Sequence, residues 1–403
     1  VIIVMRKDSY KVGITVVLET GHSVFSNGIR QNGMMLAKLL KLAGHEVSIL
    51  NFQKNNAMEK FPWDVNEYKT VNIFEEPDYP KNLDVLIHLQ TASNESETLL
   101  WKGMNPNLKV ITYQCGNNYV NDMEDILFQS REGHNILMKL DHAIDDVWYV
   151  PQQKFNNHDY YKILLRKDPR AIPFVWDPMF IDEHIKIIQA DPTKDPYYNN
   201  EGPSKRISMF EPNINIVKYS MPCILATEQA YRKRPDLISF MYASNTNKLV
   251  DINLFKALMN QLDIVRDSKA QFTSRYPIVH YLESRTDIVV SHQWGNPLNY
   301  LYLDALYLGY PLVHNAELIA DLGYYYEGFN MDDAANQIIN AAENHDKNIR
   351  EYKKDSMEKI FRYRPENKEL QEEYTMLLHS LFDEDLKKSM SWELDWKTNL
   401  YNR

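Results

Sequence analysis

Twenty-five residues from Ser291 to Asn315 crowd polar and aromatic side chains between two apolar runs: S-H-Q-W-G-N-P-L-N-Y-L-Y-L-D-A-L-Y-L-G-Y-P-L-V-H-N. The pattern predicts a strand over Asp287–Ser291 and a polar turn. A helix follows over about 297–308, with Pro297 in its first turn and Gly309 at its end. A second strand restarts at Pro311–His314. A helix N-terminus at the C-terminal end of a parallel strand offers unpaired N–H groups and a positive dipole end, a ready site for phosphate. Asp304, two turns into the expected helix, is placed to accept hydrogen bonds from ribose hydroxyls, with His292 and Asn299 flanking the same mouth. The plainer alternative is that Asn296 caps the helix and Asp304 faces solvent.

The first half carries similar mouths. Glu19 to Gly28 forms the loop after an early strand, and His22, Asn27, Gly28, Arg30 and Asn32 lie in it or on the helix that follows. Arg30 and Asn32 are candidates to hold a donor or an acceptor, and Gly28 permits close backbone approach. Asn27 as a simple helix cap and His22 as an exposed loop histidine remain open alternatives. Asn117, Asn118 and Tyr119 follow another strand, with Asp122 just beyond. Asp122 is a candidate general base toward an acceptor hydroxyl, although acids near a helix start are common for dipole reasons alone. Neither Asp145-Asp146 nor Asp332-Asp333 sits in a loop suited to a catalytic metal, so none is expected. Cys115 and Cys223 make no metal spacing and no disulfide framework, which fits a reducing cytoplasm.

The elements that position these residues alternate. Val12–Leu18 reads as a buried strand, a helix with Ile29, Gly33, Leu36, Leu40 and Ala43 on one face follows, Gly44 ends it, and Glu46–Leu50 is the next strand. Further strands are expected at Leu83–Leu89, Leu108–Tyr113 and Asp146–Val150, and helices at about 121–130 and 151–165. Residues 52–82 show no period. The X-Pro steps of 177–204 resist regular structure and read as a linker. The alternation then restarts, with strands at Arg206–Phe210 and Leu237–Tyr242 and helices near 219–234, 252–262 and 274–284. A chain of 403 residues exceeds one core, so two parallel-sheet domains are expected. The first spans 1–176 with about 382–403, where Trp392 and Trp396 anchor a late helix, and the second spans 205–381.

Net charge is −10, which argues against a whole-surface grip on nucleic acid. It is uneven: residues 1–175 hold 19 basic and 21 acidic side chains, a balance of −2, which leaves −8 for the rest. The basic clusters Arg166-Lys167 and Arg232-Lys233-Arg234 read as solvated helix ends. No apolar run is long enough for a membrane span, and no basic amphipathic helix suggests a membrane surface.

The Ser291–Asn315 segment resembles the signature of retaining GT-B glycosyltransferases, an acid and a glutamate separated by seven residues before a Gly and a Pro. Asn296 and Asp304 stand at those two positions, followed by Gly309 and Pro311. Over nearly its whole length the chain resembles a family of glycosyltransferases with members in bacterial surface-polysaccharide settings and in T-even-like phages. The matching blocks are Asn27 to Asn32, Gly116 to Val120, Asp146-Val147-Trp148, Phe210 to Ile214, Val217-Lys218 and Ser291 to Asn315; the family usually has Glu where this chain has Gly295.

The resemblance implies two facing Rossmann-like domains with a cleft and a C-terminal helix that crosses back. It implies a UDP-sugar donor and no cofactor. The donor set is Asn213, Lys218, His292, Asn296, Asn299, Tyr300, Asp304, His314 and Asn315, with Lys218 on the diphosphate. Asp122, His22 and Lys218 are the catalytic candidates. The Asn-, Lys-, Tyr- and Ile-rich, Gly-poor composition suggests an A+T-rich genome, and with the phage relatives this implies an arabinose- or glucose-type sugar moved to 5-hydroxymethylcytosine in double-stranded DNA. A surface polysaccharide is the alternative acceptor, and a sugar-nucleotide epimerase or a nucleotide-sugar-binding module the alternative class.

Overall fold

The β-branched run after Tyr10 forms β1 (Lys11–Val16), buried on both faces as a central parallel strand must be. It pairs in parallel with β2 (Glu46–Asn51) on one side and β4 (Val85–His88) on the other, Val12 opposite both Val47 and Val85. With β3 (Lys69–Asn72), β5 (Lys109–Gln114), β6 (Asp146–Tyr149) and β7 (Arg170–Ala171), the sheet runs β3-β2-β1-β4-β5-β6-β7. The order reverses at β1/β4, which makes that pair the switch point where doubly wound sheets bind ligands. The computed structural model describes residues 7–16, 28–52, 68–89, 93–128, 140–199 and 202–390.

Helices α1 (Gly28–Leu42), α2 (Glu95–Met104), α3 (Asn118–Phe128) and α4 (Lys154–Leu165) accompany this sheet. α1 lies close because Gly33 has no side chain. A Cβ there would stand 2.8 Å from both Leu89 and Val16. Gly44, at φ +93°, ends α1 in the left-handed region.

The second sheet joins β8 (Lys205–Met209), β9 (Ile238–Ala243), β10 (Ala270–Phe272), β11 (Ile288–Val290), β12 (Leu312–His314) and β13 (Tyr324–Tyr325) in the order β10-β9-β8-β11-β12-β13. All its pairings are parallel, and its switch point is β8/β11. Its helices are α5 (Met179–Ile188), α6 (Met221–Lys233), α7 (Asn253–Met259), α8 (Asp263–Arg266), α9 (Ile278–Arg285), α10 (Tyr300–Leu308) and α11 (Met331–Ile360). α6 and α11 pack over Ile207, Met241, Ile288 and Val313 as one core.

The chain divides into a first unit of 1–177 with 361–402 and a second unit of 178–360. In the first unit α12 (Lys368–Ser380), followed by α13 (Glu384–Ser389), packs on α1. There the Tyr10 hydroxyl bonds His379 Nδ1 at 2.9 Å, and the Tyr374 hydroxyl donates to the Pro173 carbonyl. The return to the first unit therefore comes at Phe361, earlier than the expected 382. Trp392 and Trp396 lie outside the described residues. The stretch expected as linker holds α5, whose Phe180, Ile181, Ile185 and Ile188 are buried. Pro178 precedes the first turn there and does not interrupt the helix.

Candidate functional site

The strongest concentration of buried polar groups in the second unit lies at the C-terminal ends of β8 and β11. Two residues past β8, Glu211 is 1% exposed. One of its oxygens, Oε1, accepts from the Ser291 hydroxyl and from the His292 amide at 3.3 Å. The other, Oε2, is buried without a partner among the described residues. The Ser291 hydroxyl also meets the Tyr302 hydroxyl of α10 at 3.1 Å. Burial pushes the Glu211 carboxyl up to about 7, against the opposing pull of Ser291, Lys218 and the His292 amide.

Lys218 stands two residues before Ser220, the N-cap of α6. It is half-buried, and its ammonium has no hydrogen bond or ion pair with any described residue. Burial pulls it down to about 8, with Glu211 opposing. His292 is buried, its Nδ1 bonds the Tyr326 hydroxyl at 2.9 Å, and burial pulls it down to about 4, so the ring is neutral at pH 7. Its other ring nitrogen has no partner among the described residues. The arrangement presents one cation, one neutral imidazole and one carboxyl that titrates near neutrality. Such a set is suited to meet an anionic oxygen.

Two loops are tied together to hold this set. The Trp294 amide donates to the Val217 carbonyl at 3.0 Å. Asn213, at φ +54°, donates through Nδ2 to the Glu211 and Asn245 carbonyls and to the Ser220 hydroxyl, and its Oδ1 accepts from the Ser220 amide. Asn245, at φ +60°, donates to the carbonyls of Phe210 and Glu211. Asparagine tolerates this conformation better than most residues, which is why both turns carry it. Asn213, expected on the donor, thus has its side chain engaged in shaping the loop that carries Lys218.

His314 and Asn315 are engaged in the same way. His314 is fully buried, with Nε2 bonded to the Leu322 carbonyl and Nδ1 accepting from the Ala316 amide. Asn315 exchanges bonds with the Gln293 main chain and donates to the Gly328 carbonyl. Asn315 braces the loop after β11 and His314 the loop after β12; the polar side-chain atoms of both are engaged.

The helix of the 291–315 segment starts later than its sequence suggests. Asn299 is the N-cap of α10, its side chain makes no cap bond, and Pro297 lies in the preceding loop. Tyr300 is the first helical residue, so half-buried Asp304 sits just over one turn in, nearer the N-terminus than expected. The Asn296 amide donates to Gln293 Oε1, while its side chain has no partner among the described residues.

In the first unit, His22 and Asn27 lie outside the described residues. Gly28 opens α1, and Arg30 and Asn32 are buried on it. Asn32 reaches the Tyr113 hydroxyl at 3.5 Å, and its Oδ1 is buried without a partner. The group after β5 is closely bonded. Asn117 Oδ1 accepts from Asn157 and from the Val120 amide, and its Nδ2 donates to Asn156. Asn118 donates to Gln114, and the Tyr119 amide donates to Asn157. Asp122, the expected base, is buried and accepts from the Tyr160 hydroxyl of α4. Its carboxylate holds α3 to α4.

Sequence reasoning passed over Glu211, Ser291, Tyr302, Tyr326 and Asn245. The available signal was Glu211 itself, a carboxylate directly after a buried strand. Among the described residues no group of three or more His, Cys, Asp or Glu side chains is arranged to hold a metal, and no helix is long and apolar enough to cross a membrane.

The family described as "Protein of unknown function (DUF2827)" matches residues 12–378, and the chain belongs to it. No curated protein matches. Among solved structures, sucrose-phosphate synthase from Thermosynechococcus elongatus aligns with TM-score 0.52 at 12% identity over 93% of this chain and 99% of the other. A TarM variant from S. aureus, in complex with fondaparinux, α-GlcNAc-glycerol and UDP, aligns with TM-score 0.55 at 10% identity over 92% and 99%. The catalytic domain of starch synthase IV from Arabidopsis thaliana, bound to ADP and acarbose, aligns with TM-score 0.51 at 10% identity over 94% and 99%. At these identities the likeness is one of fold, and the fold is GT-B, with a Rossmann-like sheet in each unit.

Proposed function

We propose that this member of the family is a glycosyltransferase that uses a nucleotide-sugar donor, with UDP as the leaving group. The observation that carries the reading is the Lys218 ammonium, which has no partner among the described residues, facing buried Glu211 at the β8/β11 switch point of a GT-B fold. Two of the aligned structures hold UDP or ADP. In our reading Lys218 meets the diphosphate and Asp304 the ribose. The bond between the anomeric carbon and the diphosphate oxygen breaks, and UDP departs with the electron pair. The acceptor oxygen then bonds the same carbon and gives up its proton. Lys218 offsets the charge that grows on the diphosphate, the term that stabilises such transition states most. We read the transfer as independent of a divalent metal; activity that survives EDTA would support this. Among the donor residues inferred from resemblance, His292, Asn296 and Asn299 keep side-chain groups open, and Tyr300 begins α10 beside them.

The acceptor reading rests on family resemblance: 5-hydroxymethylcytosine in duplex DNA, with an arabinose- or glucose-type sugar. The near-neutral balance of residues 1–175 suits a polyanion better than the acidic remainder does. The test supplies radiolabelled UDP-sugars with hydroxymethylcytosine DNA, unmodified DNA or no acceptor. Label on the modified DNA alone is the expected result. Equal background on both DNAs ends the DNA reading. Conversion of the sugar without any acceptor identifies an epimerase, and tight UDP binding without turnover a binding module.

A further inference from the structure

Glu211 is a buried carboxyl at the site that the donor reading does not use. Ser291 and the His292 amide occupy one oxygen, and the other has no partner among the described residues. The groups that face it come from several elements: Lys218 ahead of α6, Cys223 on α6, His292 after β11, Tyr302 on α10, and Tyr326 after β13. Burial raises the Cys223 thiol and the Tyr302 and Tyr326 hydroxyls well above their ordinary values, so all three stay neutral at pH 7. The His292 ring is neutral for the same reason. Among the described groups that face Glu211 only Lys218 carries a charge, so the balance at that carboxyl is set by the Glu211 carboxylate and the Lys218 ammonium; the next carboxylate, Glu317, acts on Tyr302 and accepts from Gln293.

That balance fails when an anion arrives. With both groups ionised the pocket is neutral. A diphosphate diester brings two negative charges to Lys218 and leaves the buried carboxylate facing an excess of its own sign. Repulsion between like charges at low dielectric is relieved when the carboxylate takes up a proton. We propose that Glu211 is the proton-accepting counter-charge of the donor site, so that binding a nucleoside-diphosphate sugar at Lys218 is accompanied by protonation of Glu211. The proposal rests on the donor-site reading above. Glu211 acts through Lys218 and the pocket's charge, and is a positioning residue.

The sign follows directly. In the free protein Glu211 titrates at about 7. Below that pH it already holds the proton, and donor affinity does not change with pH. Above it, each binding event must draw a proton from solvent, so affinity falls as pH rises, by up to about tenfold per unit. Lys218, at about 8, adds a second fall at higher pH by losing its own charge.

The test is calorimetry of the full chain with UDP-glucose, whose diphosphate diester does not titrate in this range, in buffers of different ionisation enthalpy. The expected result is uptake of roughly half a proton or more per donor bound at about pH 8, vanishing toward about pH 6. The Lys218→Arg variant stays charged throughout and should keep the uptake, which separates Glu211 from Lys218. With Lys218→Arg already in place, so that no lysine titrates here, adding Glu211→Gln should abolish the uptake and hold affinity level between about pH 7 and 8. Donor binding without uptake in the unaltered protein overturns the proposal and leaves the donor site standing. Uptake that persists in the Glu211→Gln, Lys218→Arg double variant overturns it equally. Absence of binding at every pH removes the donor-site reading, and this inference with it.

Discussion

The two sheets share one strand order and differ in how the polar groups at their mouths are bonded. After β5 in the first unit, Asn117, Asn118 and Asp122 are tied to Asn157, Gln114 and Tyr160. Near its switch point Asn32 Oδ1 and His88 Nδ1, both neutral, are buried without a partner among the described residues, and the Arg30 guanidinium is buried on the same helix as Asn32. At the mouth of the second sheet the groups without a partner among the described residues include an ammonium and a carboxyl oxygen that face each other. Both mouths are equally polar in sequence. What separates a brace from a binding site is the saturation of its hydrogen bonds, since a saturated group gains little from a ligand and an unsatisfied one gains much.

Acid tests the comparison most severely. Burial pulls His45 and His88 in the first unit, and His292, His314 and His345 in the second, down to about 4. An unfolded histidine titrates at about 6.5. The stability these neutral rings contribute is complete above pH 6.5 and is lost as pH falls toward about 4. The second unit holds the two rings most fully bonded to main-chain carbonyls, His314 to Leu322 and His345 to Gly309. Hydrogen exchange followed from about pH 7 down to about pH 4.5 should show protection lost over this window, in β12 and α11 no later than in β2 and β4. Protection that is flat across it would mean these rings are not held neutral.

Next in size is the donor itself. Replacing Lys218 by Ala removes the cation from the mouth of the second sheet. The loss should be about 1.5–3 kcal/mol in UDP-sugar binding, roughly ten- to a hundredfold, with the thermal transition unchanged. Asp304→Ala should weaken donor binding in the same direction. Unaltered affinity in both folded variants would remove the distinction drawn between the two mouths.

The sheets were legible in the sequence because central strands such as Val12–Val16 and Ile288–Val290 are continuous apolar runs. The edges were not. β3 and β10 are short, half-exposed strands without alternation, so their pairing depends on neighbours far along the chain. α2 was missed although its start carries a signal, the Asn94–Glu97 capping box. α10 was placed early because Pro297 suits a first turn, whereas Gln293 holds the Asn296 amide in a loop that runs on to Asn299. Lys218 was picked out by resemblance. Glu211 was not, because its significance lies in burial and in an unpaired oxygen, and neither is written in local sequence.

A smaller effect approaches the comparison from the first unit. Tyr160→Phe deletes the hydroxyl that bonds the buried Asp122 carboxylate. Losing a hydrogen bond to a charged group costs about 1.5–3 kcal/mol. The variant should therefore unfold at a lower temperature and bind UDP-sugar as before. A weakened donor affinity at unchanged stability would give Asp122 back a place in the chemistry.

The smallest effect separates shape from contact at the second mouth. Asn213 occupies the left-handed region, where glycine is at least as comfortable, and its side chain makes four bonds that fold residues 211–220 around Lys218. Asn213→Gly keeps the backbone conformation and removes the bonds, leaving the Ser220 amide and its partners to water. Asn213→Ala removes the same bonds but keeps a β-carbon at positive φ, a strain of about 1 kcal/mol that the glycine variant is free of. If Asn213 only shapes the loop, the glycine variant should lose donor affinity severalfold, less than Lys218→Ala, because Lys218 is still present but less firmly placed. The alanine variant should be less stable than the glycine variant by about that strain. If Asn213 instead touched the donor, both variants would lose affinity as much as Lys218→Ala does, and their different stabilities would leave that loss unchanged. Titrating the three variants with UDP-glucose, alongside their melting temperatures, decides between the two roles.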